Sequence, residues 1–408
     1  MAERRSNRAR TRDHGAHDEV SPNCEDLALQ EWRTSGESLA RSGVAGFHGW
    51  PNINVVTEGG RAFLAAPAPE RIDGVYPPIE PYDFGHLDVG DGHFVYWETV
   101  GSPDGVPAVW LHGGPGSPSS PNSRRNFDPS RYRAVVFDQR GCGRSRPLAS
   151  DPEADLSTNT TDHLVGDIGL LRSHLGIDRW VVVGGSWGVT LALVYAERYP
   201  ERVLAMVLAA VTSGRWRETQ WITRDMGRLF PREWDHFVEL VPEAERRGDL
   251  AAAYARLLAS PDVALREEAA RRWCTWEDTH MSLGPDYTPH LAVRELPWQL
   301  VFARLVTHYW GHGCFLADNE VMANLHRITH IPSVLIHGLH DVSGPLDTAW
   351  ELHKAWPASR LAVIEDAGHF GASMAQELVA AIDLMAGIAR VTPAPTQSPT
   401  QSRPAPLV

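Results

Sequence analysis

The stretch Trp180-Val181-Val182-Val183-Gly184-Gly185-Ser186-Trp187-Gly188 places a serine between an apolar run and a helical pattern that follows it. The apolar run predicts a buried strand. The flanking glycines permit a sharp bend, because they lack the Cβ atoms that would clash there. Such a bend exposes the hydroxyl of Ser186 beside the free backbone N–H groups at the start of a helix. A Gly-x-Ser-x-Gly motif in this context indicates a nucleophilic serine.

The same alternation of apolar runs and helical patterns extends on both sides of this turn. A helix is predicted over residues 162–175, and a hairpin is predicted from residues 85–89 and 93–99. Strands that alternate with helices predict an α/β fold with a mostly parallel, doubly wound sheet. The remaining predicted strands are 108–111, 134–137, 180–183, 203–211, 333–336 and 361–364.

The alternation stops over residues 213–326, which are predicted to be mostly helical. An insertion that interrupts a sheet and then returns to it is expected to form a cap over the strand ends. The core of the sheet is then built from residues 76–212 and 327–391. Residues 1–75 lack periodicity and 392–408 are rich in Pro, Ser, Thr and Gln, so both are predicted to be disordered, with a short helix near residues 24–31.

Composition narrows the class of protein. With 408 residues and 43% hydrophobic residues the chain can bury a sizeable core, and its net charge of −13 argues against nucleic-acid binding. We found no run of about 18 apolar residues typical of a membrane span, so no membrane association is expected. The four cysteines are far apart and form no Cys-x-x-Cys, and the arginine-rich N-terminus has no apolar segment after it. A reducing cytoplasm is therefore predicted.

A serine hydroxyl needs a base within hydrogen-bonding reach, and the base needs a partner that fixes its tautomer. In doubly wound hydrolases these residues follow later strands, in the order Ser, Asp, His. Asp341 lies just after the predicted strand 333–336, and His369 lies just after 361–364. We predict that they complete a triad with Ser186. The alternatives are a helix-capping role for Asp341, a loop position for His369, and Asp366 as a rival acid.

The tetrahedral intermediate of acyl transfer also needs hydrogen-bond donors for its oxyanion. The N–H of Trp187 follows the nucleophile directly. A second donor is expected from the glycine-rich loop His112-Gly113-Gly114-Pro115-Gly116, which follows the predicted strand 108–111. The alternative for this loop is an ordinary Gly/Pro turn. Neither a metal ion nor another cofactor is required by this chemistry, and none is predicted.

Several motifs together resemble the prolyl aminopeptidase (proline iminopeptidase) family. They are Tyr-Pro-Pro-Ile-Glu-Pro-Tyr at 76–82, His-Gly-Gly-Pro-Gly at 112–116, Phe-Asp-Gln-Arg-Gly-Cys-Gly-Arg-Ser-Arg-Pro at 137–147, the turn around Ser186, and Trp273-x-x-Trp276-Glu277. The resemblance covers about residues 75–390. It implies an α/β-hydrolase fold with a helical cap.

The same resemblance implies roles for single residues. It makes Ser186, Asp341 and His369 the triad, and it makes the N–H groups of Gly114 and Trp187 the oxyanion donors. It also implies that Glu277 holds the terminal amino group of a substrate, which for an N-terminal proline is a secondary ammonium. The proline ring would pack on apolar walls, for which Phe370 and the cap tryptophans, Trp276 among them, are candidates. The alternative for Glu277 is a surface ion pair with Arg271 or Arg272.

The chain departs from the family pattern at the place of a second amino-binding glutamate. Val306 stands there, and Asp278 is the candidate that could compensate; near the acid, Leu339-His340 replaces the usual Arg-Tyr. We therefore predict a serine aminopeptidase that releases an N-terminal residue, preferably proline, from short peptides. The alternatives are an esterase or amidase that acts on uncharged small acyl substrates, and a protein that kept the fold as a binding module. The sequence does not indicate an oligomeric state.

Overall fold

The apolar runs form one mostly parallel sheet in a computed structural model that describes residues 71–151, 153–281, 283 and 288–391, with the backbone of two short antiparallel strands, β1 (Val56–Glu58) and β2 (Arg61–Phe63). The predicted disorder over most of 1–75 and over 392–408, and the predicted helix near 24–31, lie outside the described residues. The strands of the main sheet are β3 (Asp83–Asp88), β4 (Phe94–Gly101), β5 (Val106–Leu111), β6 (Tyr132–Phe137), β7 (Trp180–Gly185), β8 (Val203–Ala209), β9 (Ser333–Gly338) and β10 (Ser359–Ile364).

The strand order in this sheet is β10-β9-β8-β7-β5-β6-β4-β3. Strands β5 to β10 pair in parallel, whereas β3 and β4 pair antiparallel and β4 runs antiparallel to β6. The predicted α/β class and mostly parallel sheet are confirmed, and so is the hairpin. The predicted strand 203–211 ends at Ala209, because the backbone of Ala210 turns to a φ of 54° there.

Helices cover both faces of the sheet, and alternate residues of β7 point to opposite faces. Val182 packs in a cluster with Leu164 and Leu193, whereas Val181 and Val183 pack in a second cluster with Ile382. The helices that flank the sheet are α1 (Pro121–Arg124), α2 (Thr161–His174), α3 (Trp187–Arg198), α10 (Asp347–Ala355) and α11 (Ala372–Val391), with a 3₁₀ turn at Pro200–Arg202.

The segment between β8 and β9 is helical, as the interrupted alternation predicts. It has its own core, in which Phe237, Tyr254 and Trp273 are buried side by side. Its last part belongs to the main core instead, since Val321 and Leu325 pack with the cluster of the sheet. The helices are α4 (Trp216–Thr223), α5 (Pro231–Glu239), α6 (Leu250–Leu258), α7 (Val263–Met281), α8 (Leu296–Trp310) and α9 (Glu320–Asn324), with 3₁₀ turns at Asp225–Arg228, Glu243–Glu245, Gly313–Phe315 and Leu325–Arg327.

Helix α11 contradicts the expectation that the chain has no apolar stretch as long as a membrane span. Over 372–389 it has 18 residues with a mean hydropathy of 1.3, so by length and composition alone it could cross a membrane. Part of its apolar surface belongs to the core, because Val379, Ile382 and Met385 are buried against the sheet. The helix therefore covers one face of the sheet in this fold.

Candidate active site

Ser186 lies on the turn between β7 and α3, with a φ of 55° and a ψ of −123°. A residue with a side chain rarely adopts a positive φ, and such strain is often found at functional sites. Two neighbouring glycines make room for the turn. A Cβ atom at Gly188 would lie 2.0 Å from the carbonyl oxygen of Leu111, and one at Gly184 would lie 2.5 Å from the carbonyl oxygen of Gly188.

The structure brings the three predicted triad residues together. Asp341 follows β9 and His369 follows β10, at the carboxyl edge of the parallel strands where Ser186 also lies. The Nε2 atom of His369 is 3.0 Å from Ser186 Oγ, and its Nδ1 atom is 2.7 Å from Asp341 Oδ2. These are hydrogen-bonding distances, and they give the imidazole contacts to a hydroxyl on one side and a carboxylate on the other.

Asp341 and His369 stabilise each other's charged forms. Burial alone would raise the pKa of Asp341, but the charge of His369 and its hydrogen bond lower the pKa to about 2. Burial alone would lower the pKa of His369, but the charges of Asp341 and Glu277 hold it above its ordinary value. Asp341 is therefore ionised at neutral pH, and an imidazolium at position 369 is stabilised.

Two further residues fix Asp341, and no motif in the sequence indicates either of them. Ser343 Oγ donates to Asp341 Oδ1 at 2.8 Å, and so does the N–H of Gly344 at 2.9 Å. His337 accepts from the N–H of Val211 through Nδ1, so its Nε2–H donates to the carbonyl of Gly344. Burial lowers the pKa of His337, which keeps this ring neutral. The loop that carries Asp341 is thus held to the ends of β8 and β9.

The glycine-rich loop approaches the serine closely. A Cβ atom at Gly113 would lie only 3.2 Å from Ser186 Cβ, and Gly113, Gly114 and Trp187 all line one cavity with Ser186. Gln139 joins the loop to the turn, because its Oε1 accepts from Trp187 Nε1 and its Nε2 donates to the carbonyl of His112. The assignment of Gly114 and Trp187 as oxyanion donors stays a prediction.

The cavity has a volume of about 390 Å³ and lies between the sheet and the cap. Phe370 lines it with 48% of its surface exposed, and its ring meets that of His369 edge-on at 4.6 Å. Trp276 does not line it. The indole of Trp276 stacks on Phe237 in the cap core, and its Nε1 donates to the carbonyl of Ile222, so Trp276 packs the cap and does not form the predicted apolar wall. Trp310 of the cap lines the cavity.

Glu277 contributes a carboxylate to the same cavity, where the residue is 6% exposed. Its Oε1 accepts from Trp273 Nε1 at 3.1 Å. Burial raises the pKa of Glu277 to about 7, although the charge of His369 and the hydrogen bond from Trp273 act in the opposite direction. The alternative of a surface ion pair is not realised, since Arg271 pairs with Glu267 and Glu268, and Arg272 pairs with Glu239 and Glu268.

Two other residues of the predicted amino site are placed elsewhere. Val306 is fully buried in the cap core and is absent from the lining of the cavity in the described part of the chain. Asp278 accepts from the backbone N–H groups of His290, Leu291 and Ala292. Those contacts hold the loop before α8, so Asp278 serves the cap structure. No cluster of three or more potential metal ligands occurs among the residues that the structure describes.

The chain is similar to known proteins over most of its length. Residues 107–373 match the family described as the alpha/beta hydrolase fold. A probable proline iminopeptidase of Streptomyces coelicolor is 48% identical over 314 residues, which is 76% of this chain and 97% of that protein. The proline iminopeptidase of Arabidopsis thaliana is 43% identical over 297 residues, covering 72% of this chain and 77% of that protein.

Solved structures agree on the fold. The crystal structure of VinJ superposes with a TM-score of 0.53 at 20% identity and covers 76% of this chain and 100% of that one. The esterase RhEst1 from Rhodococcus sp. ECU1013 gives a TM-score of 0.50 at 16% identity, covering 74% of this chain and 98% of that one. At these identities the likeness concerns architecture alone.

Proposed function

The chain belongs to the proline iminopeptidase family of α/β hydrolases, and on that premise we propose that it is a serine aminopeptidase that releases an N-terminal residue, preferably proline, from short peptides. The observation that carries this proposal is the buried carboxylate of Glu277 in the same cavity as Ser186 and His369. A carboxylate so enclosed suits a substrate whose reacting carbonyl lies next to a free ammonium.

The proposed reaction proceeds through an acyl-enzyme. Ser186 Oγ attacks the carbonyl carbon of the first residue while His369 Nε2 takes the hydroxyl proton. The oxyanion is held by backbone N–H groups at Gly114 and Trp187. His369 then gives its proton to the leaving amine as the peptide bond breaks. Water attacks the ester in the same way, and the proton it loses returns to Ser186 through His369.

Asp341 orients the imidazole in this mechanism and stabilises its positive charge. Its lowered pKa keeps it ionised throughout the neutral range. Glu277 holds the substrate ammonium, and its pKa of about 7 falls when a cation binds beside it. A substrate whose amine is acetylated has no charge to offset the buried carboxylate, so it is expected to react much more slowly.

The test is a comparison of substrates on the unaltered protein. We expect prolyl arylamide to be hydrolysed with a kcat/KM at least about a hundredfold above that of N-acetylprolyl arylamide, because the charge pairing is lost in the second compound. Comparable turnover of both compounds would contradict the amino-terminal site. Fluorophosphonate labelling of Ser186 identifies the nucleophile independently of the substrate.

A pair of glutamine variants isolates the carboxylate. Glu277→Gln is expected to lower kcat/KM for prolyl arylamide by about a hundredfold. Glu268→Gln, on the same helix but in a surface pair with Arg272, is the matched control and is expected to retain activity. If both variants keep full activity on prolyl arylamide, the assignment of Glu277 is wrong.

The second candidate is an esterase or amidase of the same fold. It is favoured by Val306, which leaves one carboxylate where the family pattern has two, and by apolar cavity walls such as Phe302, Leu291 and Met281. This enzyme would use the same triad on a neutral acyl ester. It is preferred over the aminopeptidase if an uncharged ester is hydrolysed well and prolyl arylamide is not turned over.

The proposal includes a reducing cytoplasm as the compartment and a short peptide as the partner. Cys142, Cys274 and Cys314 are buried free thiols, which a reducing environment preserves. Burial raises the pKa of the Cys274 thiol, with the charges of Glu277 and Asp278 acting in the same direction, so this thiol stays protonated.

A further inference from the structure

His280 lies one turn after Glu277 on α7 and lines the same cavity. The residue is 1% exposed, and neither ring nitrogen has a hydrogen-bond partner among the described residues. The rings of His280 and Trp276 meet in a T-shaped arrangement, with the centroids 5.7 Å apart. Buried polar groups are nearly always paired, so an unpaired imidazole on a cavity wall indicates a ligand that supplies the missing partner.

The position of Glu277 specifies that ligand further. Glu277 Oε1 accepts from Trp273, whereas Oε2 lies 3.6 Å from His280 Nε2. This separation is too long for a hydrogen bond, but a single nitrogen atom can lie within about 3 Å of both atoms. The two residues therefore converge on one point in the cavity.

We propose that His280 Nε2 and Glu277 Oε2 form a two-acceptor site that receives the two N–H groups of the secondary ammonium of an N-terminal proline. This inference rests on the aminopeptidase function proposed above and names the determinant of its preference for proline. One anionic and one neutral acceptor match one positive charge and two N–H groups. A primary ammonium carries a third N–H, which would need another acceptor.

The electrostatics of the site agree with a neutral imidazole. Burial, together with the charge of His369, lowers the pKa of His280 to about 3. One ring nitrogen therefore keeps its lone pair throughout the neutral range and can accept a hydrogen bond. A protonated ring would instead repel the substrate.

The experiment measures a ratio of kcat/KM values, that for prolyl arylamide divided by that for a cyclopentanecarboxylate ester, which has the same ring without the nitrogen. His280→Phe is expected to lower this ratio by about tenfold to a hundredfold, because one N–H of the bound ammonium is left unpaired. His280→Glu keeps an acceptor and is expected to hold the ratio within about fivefold of the unaltered protein. Thr275→Val, an exposed position on the same helix, is the control and leaves the ratio unchanged.

Each kcat/KM is calculated from the concentration of protein that reacts with a fluorophosphonate. A lower value then reflects weaker substrate recognition and not a smaller folded fraction. Should His280→Phe fail to fold, N-methylprolyl arylamide, which has one N–H, tests the unaltered protein and is expected to react at least about tenfold more slowly than prolyl arylamide. An unchanged ratio in His280→Phe, or equal rates for the two prolyl compounds, overturns the two-acceptor site. A loss in His280→Glu as large as in His280→Phe overturns it too, since it means that His280 donates to Glu277.

These outcomes are distinct from a failure of the proposed function. In that case the unaltered protein hydrolyses the ester and leaves prolyl arylamide intact, which overturns both proposals together. If prolyl arylamide is hydrolysed rapidly but substitutions at His280 leave the kcat/KM ratio unchanged, this inference is wrong and the aminopeptidase function stands.

Discussion

The hydroxyl of Ser343 donates to Oδ1 of Asp341 at 2.8 Å, which leaves Oδ2 for His369 at 2.7 Å. The two oxygens of one carboxylate are thereby assigned to different partners, and the orientation of the imidazole depends on both. A side chain that positions a reactive group in this way affects the rate through that group.

Replacing Ser343 by alanine is expected to lower kcat by about threefold to thirtyfold while KM changes by less than about threefold. The physical reason is that Asp341 loses one donor to its charged form and gains freedom to rotate. Steady-state kinetics on prolyl arylamide measure both constants. Ser343→Thr retains the hydroxyl and is expected to recover most of the rate. A full rate in the alanine variant would mean that the N–H of Gly344 alone positions the carboxylate.

The position of Asp341 and His369 could be predicted from the sequence, because parallel strands end at one edge of the sheet and the loops after β9 and β10 must meet the turn at Ser186. The roles of His337 and Gln139 could not be predicted. Their partners, Val211 for His337 and Trp187 for Gln139, lie on other strand ends, and only the lateral order of the strands determines which ends are neighbours.

The cap shows a second limit of sequence reasoning. Trp276 and Glu277 are adjacent on α7, so their side chains point about 100° apart around the helix. Both sides of this helix are buried, and apolar character alone does not reveal which side faces the cavity. A usable signal was the spacing of three between Glu277 and His280, which places both on one face. The hydrophobic position Val306 likewise gave no indication whether it lined the cavity or the cap core.

The acid limb of the pH profile should move when Glu277 is neutralised. In the proposed reaction His369 accepts a proton only as a neutral ring, so activity is expected to fall as pH decreases through its pKa. The charge of Glu277 contributes to the raised pKa of His369. With an uncharged ester as substrate, Glu277→Gln is therefore expected to shift the acid limb of kcat/KM to lower pH. Glu268→Gln should leave it in place, and a shift to higher pH in Glu277→Gln would contradict the coupling.

Glu277→Gln should also change the dependence of stability on pH. Because the folded protein raises the pKa of Glu277 from 4.5 to about 7, it binds this proton more tightly than the unfolded chain. The stability contributed is fully present below about pH 4.5 and is lost as pH rises through about 7. Above pH 8 the variant is expected to be more stable than the unaltered protein by about 1–3 kcal/mol. Denaturant unfolding at pH 5 and pH 8.5 measures the free energy of unfolding of both proteins. A variant that is more stable than the unaltered protein only at pH 5 would contradict this prediction.

The turn at Ser186 should be far less tolerant of an added methyl group than a helix in the same layer. A Cβ atom at Gly188 would lie 2.0 Å from the carbonyl oxygen of Leu111, in backbone that cannot move without displacing β5. Gly188→Ala is therefore expected to destabilise the fold by at least about 3 kcal/mol and to abolish activity.

Gly166 on the exposed side of α2 is the matched control, because a Cβ atom there meets nothing within 4 Å. Gly166→Ala is expected to stabilise the protein by about 0.5–1 kcal/mol, since alanine restricts the unfolded chain and favours the helix. Thermal unfolding of both variants measures the contrast. If Gly188→Ala unfolds at the same temperature as Gly166→Ala, the close approach of α3 to the end of β5 is wrong, and with it the placement of the glycine-rich loop beside Ser186.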